Sequence, residues 1–245
     1  MSTPESLTIH LQSLSTICPY SSATEHDFLV AAGTGQLSKD LVSLYLSQDR
    51  LYAAHAYPRF IGQLLAAIPF SSLHAIDSVQ ELHNRRILNI LSYSLQNVVR
   101  EVGFFGEVAA KHGLKLDGWR ERKATRDYTA TMAAVGSSGS LDDGLIFLWA
   151  MEKVYLDSWK HVRSLLGTST ETSPTTAVIQ EFVDNWTNPE FERFVNNLGD
   201  LVNSLDIKPD SEAYSRAEEI WARVVELEKD FWPSGEGELA ILRIQ

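Results

Sequence analysis

Apolar residues recur at three- and four-residue steps along most of this chain, and period-two runs of Val, Ile and Thr are missing. That periodicity predicts amphipathic helices and no strands. With only 14 Gly and 8 Pro in 245 residues, the helices are expected to be long and the joints few. The fold class is therefore read as all-α, a single-domain helical bundle. No change in composition divides the chain, so residues 1–245 are read as one domain, and no internal repeat is found.

Local signals set the expected boundaries. Ser38 to Ile68 reads as one long segment with Ser38 as N-cap, in which Leu41, Leu44, Tyr45, Gln48, Asp49, Tyr52, Ala53 and Ala56 share a face. Pro58 lies inside it and should kink it, because proline cannot donate to the carbonyl four residues back. Ser72 to His112 is expected to be a second helix, broken once and ended by Gly113. Arg122 to Val135 should stop at Gly136. Leu141 to Leu166 has Ser140 as N-cap and Asp142 and Asp143 in its first turn, where the helix dipole favours them. Pro174 to Trp186, Pro189 to Leu205 and Asp210 to Trp232 complete the set. Gly167 to Pro174 reads as a polar connector. Leu239 to Ile244 is a short apolar piece expected to dock on a neighbour or on the chain's own core.

Charge narrows the partners. Lys and Arg number 21 against 32 Asp and Glu, a formal net charge of −11. Such a surface is a poor match for nucleic acid or an anionic membrane. No apolar run approaches the roughly 20 residues needed to span a bilayer. The N-terminal residues lack the basic and apolar regions of a signal peptide. A cytoplasmic location is expected, with the nucleus as second choice. Cys18 is the single cysteine, which precludes an intrachain disulfide or a multi-cysteine zinc site.

The informative feature is where the acids fall. Glu152 lies among Trp149, Tyr155, Leu156 and Trp159 in FLWAMEKVYLDSW. Asp49 and Tyr52 share a stripe with Tyr45 and Ala56. Glu228 sits among Trp221, Val224, Val225, Phe231 and Trp232 in WARVVELEKDFW. A carboxylate among aromatic rings is costly to desolvate unless it is paired, hydrogen-bonded or protonated. Each alone reads as a structural ion pair with Arg or Lys, or as the edge of its stripe. Three together point to a polar pocket inside the bundle, a usual place for a site in such folds. Tyr52, Tyr57, Tyr128 and Tyr155 gain interest because a buried phenol needs a partner, which these acids could supply.

Rival chemistries are tested on spacing. A carboxylate-bridged di-iron bundle needs Glu-x-x-His pairs, and no His here has a Glu three positions earlier. No metal and no cofactor are expected. His26 could ligate a haem, but a His near a helix start more often caps it or bonds within the core. Glycine-rich phosphate loops and nucleophile elbows are absent. Cys18 is read as a small buried residue.

These residues resemble the TenA/thiaminase II family, helical proteins of the haem-oxygenase-like fold. The resemblance is carried by blocks in the family's order: TEHDFLVA with His26, VSLYLSQDRLYAAHAYPRF from Val42, RDYTATM with Tyr128, LWAMEKVYLDSW from Leu148, NWTNPEF from Asn185, and VELEKDFW from Val225. It spans about residues 20–232. One branch of the family has a catalytic cysteine one turn before a helical Tyr. Here that segment is WAMEKVY, without cysteine, and the chain resembles the branch with a glutamate instead. That branch hydrolyses formylaminopyrimidine and aminopyrimidine products of thiamin breakdown toward hydroxymethylpyrimidine. Cleavage of thiamin itself belongs mainly to the cysteine branch.

The resemblance implies roles residue by residue. Glu152 matches the branch's catalytic glutamate and Glu228 the C-terminal catalytic one. Asp49 matches the acid that binds the pyrimidine amino group and ring nitrogen. Tyr52, Tyr128, Tyr155 and Phe231 match pocket aromatics, and Trp186 stands where many members have a pocket Tyr. Glu101, before Phe104 and Phe105, has no role assigned. Members are usually dimers or tetramers, so a homo-oligomer is expected. Two acids in different environments can divide proton transfer between water and leaving nitrogen, and either order is open at this stage. A non-catalytic pyrimidine-binding or regulatory protein on the same scaffold is the alternative, since fold does not fix function.

Overall fold

The computed structural model describes residues 6–167 and 173–244. Among them there are helices and no strands, with one isolated bridge between Trp119 and Arg243. Short helices α1 (Leu7–Ser13), α2 (Tyr20–Thr24) and α3 (Asp27–Gly33) lead into α4 (Lys39–Leu51). A π-helical turn, Tyr52–Ala56, joins α4 to α5 (Tyr57–Ala66). Then come α6 (Val79–His112), α7 (Lys123–Ser138), α8 (Leu141–Leu166) and α9 (Thr176–Trp186). The series closes with α10 (Pro189–Asn203), α11 (Glu212–Phe231) and α12 (Gly237–Leu242). No helix of the described residues is long and apolar enough to cross a membrane.

Helix α8 is the axis of the bundle and packs against α2, α3, α7, α9, α10 and α11. Its residues 143–151 are all buried, so that half of the helix is covered on every side. It starts on a capping box, in which Ser140 and Asp143 each accept the other's backbone N–H. Ser38, Ser78 and Ser211 cap α4, α6 and α11 through their hydroxyls. Gly113 ends α6 in the left-handed region at φ 63°, where glycine pays no Cβ penalty.

Several boundaries differ from the sequence reading. Within Ser38 to Ile68 the helix is irregular beside Pro58. The irregularity precedes it, in the π turn, and Pro58 sits in the first turn of α5, where its missing N–H costs nothing. Helix α6 is unbroken and starts at Val79, so residues 72–78 are not helical. Helix α7 runs through Gly136 and stops at Gly139. Within the Gly167 to Pro174 connector, residues 168–172 lie outside the described residues. The C-terminal segment docks on its own chain: Leu239 and Leu242 pack on the core, and Arg243 bonds Asp40 and lies over Trp119. Cys18 is only half-buried, with Sγ 3.2 Å from Ser22 Oγ. His26 is an N-cap, its Nδ1 accepting the Phe28 N–H.

Close packing against α8 gives a first prediction. A Cβ on Gly33 would lie 2.5 Å from Cβ of Leu165 and 3.2 Å from the Val162 carbonyl. Neither atom is the end of a flexible chain. Gly33→Ala is expected to destabilise the fold by about 1–3 kcal/mol, as overpacking does, measured by urea denaturation.

Candidate active site

One enclosed cavity is lined by residues of α4, the π turn, α5, α6, α7, α8, α9, α10 and α11. Its free space is about 540 Å³ including the mouth, of which about 40 Å³ admits the centre of a water molecule. That suits a single small ring. All eight residues named from the sequence line it: Asp49, Tyr52, Tyr128, Glu152, Tyr155, Trp186, Glu228 and Phe231. Tyr57, Ser94, Asn97, Val98, Glu101, Met151 and Phe191 complete the wall. It contains no Lys, Arg or His. The ion-pair reading of Asp49, Glu152 and Glu228 therefore fails. Their partners are phenols.

Asp49 and Tyr45 stand one turn apart on α4. Asp49 Oδ2 is 3.0 Å from the Tyr155 hydroxyl and 3.3 Å from that of Tyr45, while the two hydroxyls are 2.6 Å apart. Two phenol protons cannot fill three such contacts, but a proton on the carboxyl would complete the ring of donors. Burial, and the nearby Glu101, do hold the pKa of Asp49 well above the usual carboxylate range.

Glu152 and Glu228 are each held by one phenol. The Tyr57 hydroxyl donates to Glu152 Oε1 at 2.5 Å, and Tyr128 donates to Glu228 Oε1 at 2.5 Å. Burial pushes both carboxyls up to about 8, against the opposing pull of those hydrogen bonds. Glu228 is 3% exposed, and its Oε2 is buried with no partner. Glu152 keeps more accessible surface, as a residue facing the cavity does. Burial likewise raises the Tyr57 and Tyr128 phenols, so they remain protonated donors.

The π turn explains how Tyr52 and Tyr57 share one cavity. Five residues apart on an α-helix, side chains point about 140° from each other. Here the Tyr57 N–H reaches back to the Tyr52 carbonyl, the extra residue is absorbed, and both rings face inward. The Tyr52 ring packs 5.2 Å from that of Tyr128 and 5.9 Å from that of Phe231. Tyr155 lies parallel to Trp232 at 5.9 Å and edge-on to Trp186 at 5.2 Å. These rings shape the flat slot.

Glu101 is the fourth acid of the wall, and the sequence reading gave it no role. It projects from α6 with Ser94, Asn97 and Val98, at three- and four-residue steps. It accepts the Trp186 indole N–H. That spacing was the available signal. The stripes were less selective than they looked. Trp149 shares a helix with Glu152 yet stacks on Trp221 at 5.2 Å, and neither lines the cavity. Among the described residues, no group of three or more His, Cys, Asp or Glu is placed to hold a metal ion.

Known proteins share this architecture. A TenA homologue of Pyrococcus furiosus superposes with a TM-score of 0.72 at 26% identity, over 87% of this chain and 92% of that one. A Glycine max protein described as "Probable bifunctional TENA-E protein" is 22% identical, across 89% of this chain and 88% of its own length. A Fusarium pseudograminearum protein described as "Probable transcription factor" is 24% identical, but the chain spans only 48% of its length. A family model matches residues 18–238, a span that carries every wall residue of the cavity, and by that match the chain belongs to the TENA/THI-4/PQQC family.

Proposed function

We propose that this protein hydrolyses C–N bonds of aminopyrimidines derived from thiamin, for pyrimidine salvage. The observation that carries the reading is a ring-lined cavity holding four acids, Asp49, Glu101, Glu152 and Glu228, and no cation. Such a site favours a flat ligand that brings N–H donors and accepts a proton. Asp49 would bind the amino group and ring nitrogen in a paired geometry, while Tyr52, Tyr128, Tyr155, Trp186 and Phe231 stack on or edge the ring.

Two acids held near neutrality suit proton transfer at physiological pH. With an N-formyl substrate, Glu152 takes a proton from water as its oxygen adds to the formyl carbon. Glu228 gives a proton to the nitrogen as the C–N bond breaks. Formate and the amine leave. With an aminomethyl substrate, water replaces ammonia and leaves a hydroxymethyl group. Membership in the family supports a pyrimidine function, and the soybean relative's TENA-E description supports the glutamate-type branch.

The test is a panel of formylaminopyrimidine, aminopyrimidine and thiamin, with formate and ammonia release measured. Release from the first two, with little cleavage of thiamin, is expected. A regulator, the second reading, draws on the Fusarium relative. It would show a thermal shift with pyrimidine and no release.

Tyr57 provides a finer check. Its hydroxyl favours the ionised form of Glu152. Tyr57→Phe removes that support, so the Glu152 pKa should rise further. The acid limb of kcat/KM, which reports the free base, is expected to move to higher pH, while Tyr128→Phe should leave that limb in place.

A further inference from the structure

Each of the four acids lines the cavity and has one oxygen held by a protein donor. Asp49 Oδ2 is taken by Tyr155 and Tyr45, Glu152 Oε1 by Tyr57, Glu228 Oε1 by Tyr128, and Glu101 Oε1 by Trp186. Among the described residues, no hydrogen bond takes the second oxygen of Asp49, Glu152 or Glu228, while the Glu101 carboxyl also has the Asn185 amide as a hydrogen-bond neighbour. The proton chemistry above uses Glu152 and Glu228, and ring binding uses Asp49. Glu101 is left over. It enters from α6, on a different helix from the other three, and Trp186, which bonds it, lies edge-on to the Tyr155 ring whose hydroxyl holds Asp49. That chain of contacts places Glu101 on the Asp49 side of the cavity. Trp186 fixes its carboxyl, and Arg100 and Asn185 restrain the rise in pKa that burial imposes.

A primary amino group on a ring carries two N–H bonds. A single carboxylate that also takes the ring nitrogen can accept only one of them. We propose that Glu101 is a specificity residue of this site: its carboxylate, which has acceptor capacity beyond its Trp186 and Asn185 partners, accepts the second N–H of the ring amino group whose first N–H is held by Asp49. This rests on the aminopyrimidine reading. It makes the cavity selective for an unsubstituted amino group, and it excludes rings with an oxo or alkylamino group at that position. Buried acceptors left without a donor reject such analogues strongly.

The experiment compares hydroxymethylpyrimidine with its 4-methylamino and 4-oxo analogues as ligands, by calorimetry, in wild type, Glu101→Gln and Trp186→Phe. Glutamine keeps an acceptor for Trp186 but presents N–H₂ to the ligand. Wild type should prefer the amino ring by at least about a hundredfold. Glu101→Gln is expected to cut that preference at least tenfold. Trp186→Phe, which frees the Glu101 carboxyl, should lower it by an intermediate factor. An unchanged preference in a folded Glu101→Gln protein overturns the inference and leaves the proposed function standing. A wild-type protein that binds none of the three rings overturns both.

Discussion

Glu152→Gln is expected to lower kcat on formylaminopyrimidine by about 10²–10⁴-fold, the range that general acid–base groups supply. Binding of hydroxymethylpyrimidine should change little. Glutamine preserves the acceptor for Tyr57 and the side-chain volume, but cannot take a proton from water. The loss should therefore appear in kcat with KM nearly constant, as when an interaction acts only in the transition state. Steady-state kinetics with formate detection reads it. Full turnover in this variant would remove Glu152 from the chemistry.

The second large effect concerns stability, and it runs opposite to activity. The Glu228 carboxyl is held at about 8 in the folded protein, against an ordinary value of 4.5. Below about pH 4.5 the group is protonated in both states and contributes no pH dependence. Between the two values the unfolded chain has released its proton while the folded chain retains it. The folded state then binds more protons, and stability falls as pH rises. Above 8 the whole cost is present. Each unit of difference corresponds to about 1.36 kcal/mol, and the value of about 8 already includes the opposing pull of the Tyr128 hydrogen bond. Glu228→Gln should thus be within about 1 kcal/mol of wild type at pH 5, and more stable by about 2–4 kcal/mol at pH 9.5. For a chain of this size that is roughly 4–16 °C in Tm. Turnover should be lost at both pH values. An inactive variant that gains stability with pH separates a functional acid from a structural one, which its removal would only weaken.

Much of the fold was legible because capping and periodicity act locally. Ser140, Ser38 and Gly113 mark helix ends through hydrogen bonds with their own neighbours, so a one-dimensional reading finds them. The π turn was not legible. Nothing in YAAHA opposes an ordinary α-helix; the extra residue is absorbed because both Tyr52 and Tyr57 gain buried partners in the folded protein. Pro58 marked the right neighbourhood, since the carbonyl four residues before it lies inside the π turn. Helix α8 shows the limit of stripe reasoning. Its residues 143–151 are all buried and show no single core face, so periodicity could not tell that Trp149 faces away from the cavity. Glu101 was missed for the converse reason: Ser94, Asn97 and Glu101 look like the solvated face of a long helix until Trp186 closes over it.

The central claim is that uncompensated acids share an enclosed, aromatic space and keep their protons near neutrality. Carboxyl ¹³C NMR of the Asp- and Glu-labelled protein, titrated from pH 4 to pH 10, tests it directly. Two glutamate resonances should titrate near 8, one vanishing in Glu152→Gln and the other in Glu228→Gln. Titration of every glutamate below about pH 5.5, as solvated carboxyls do, would contradict the account.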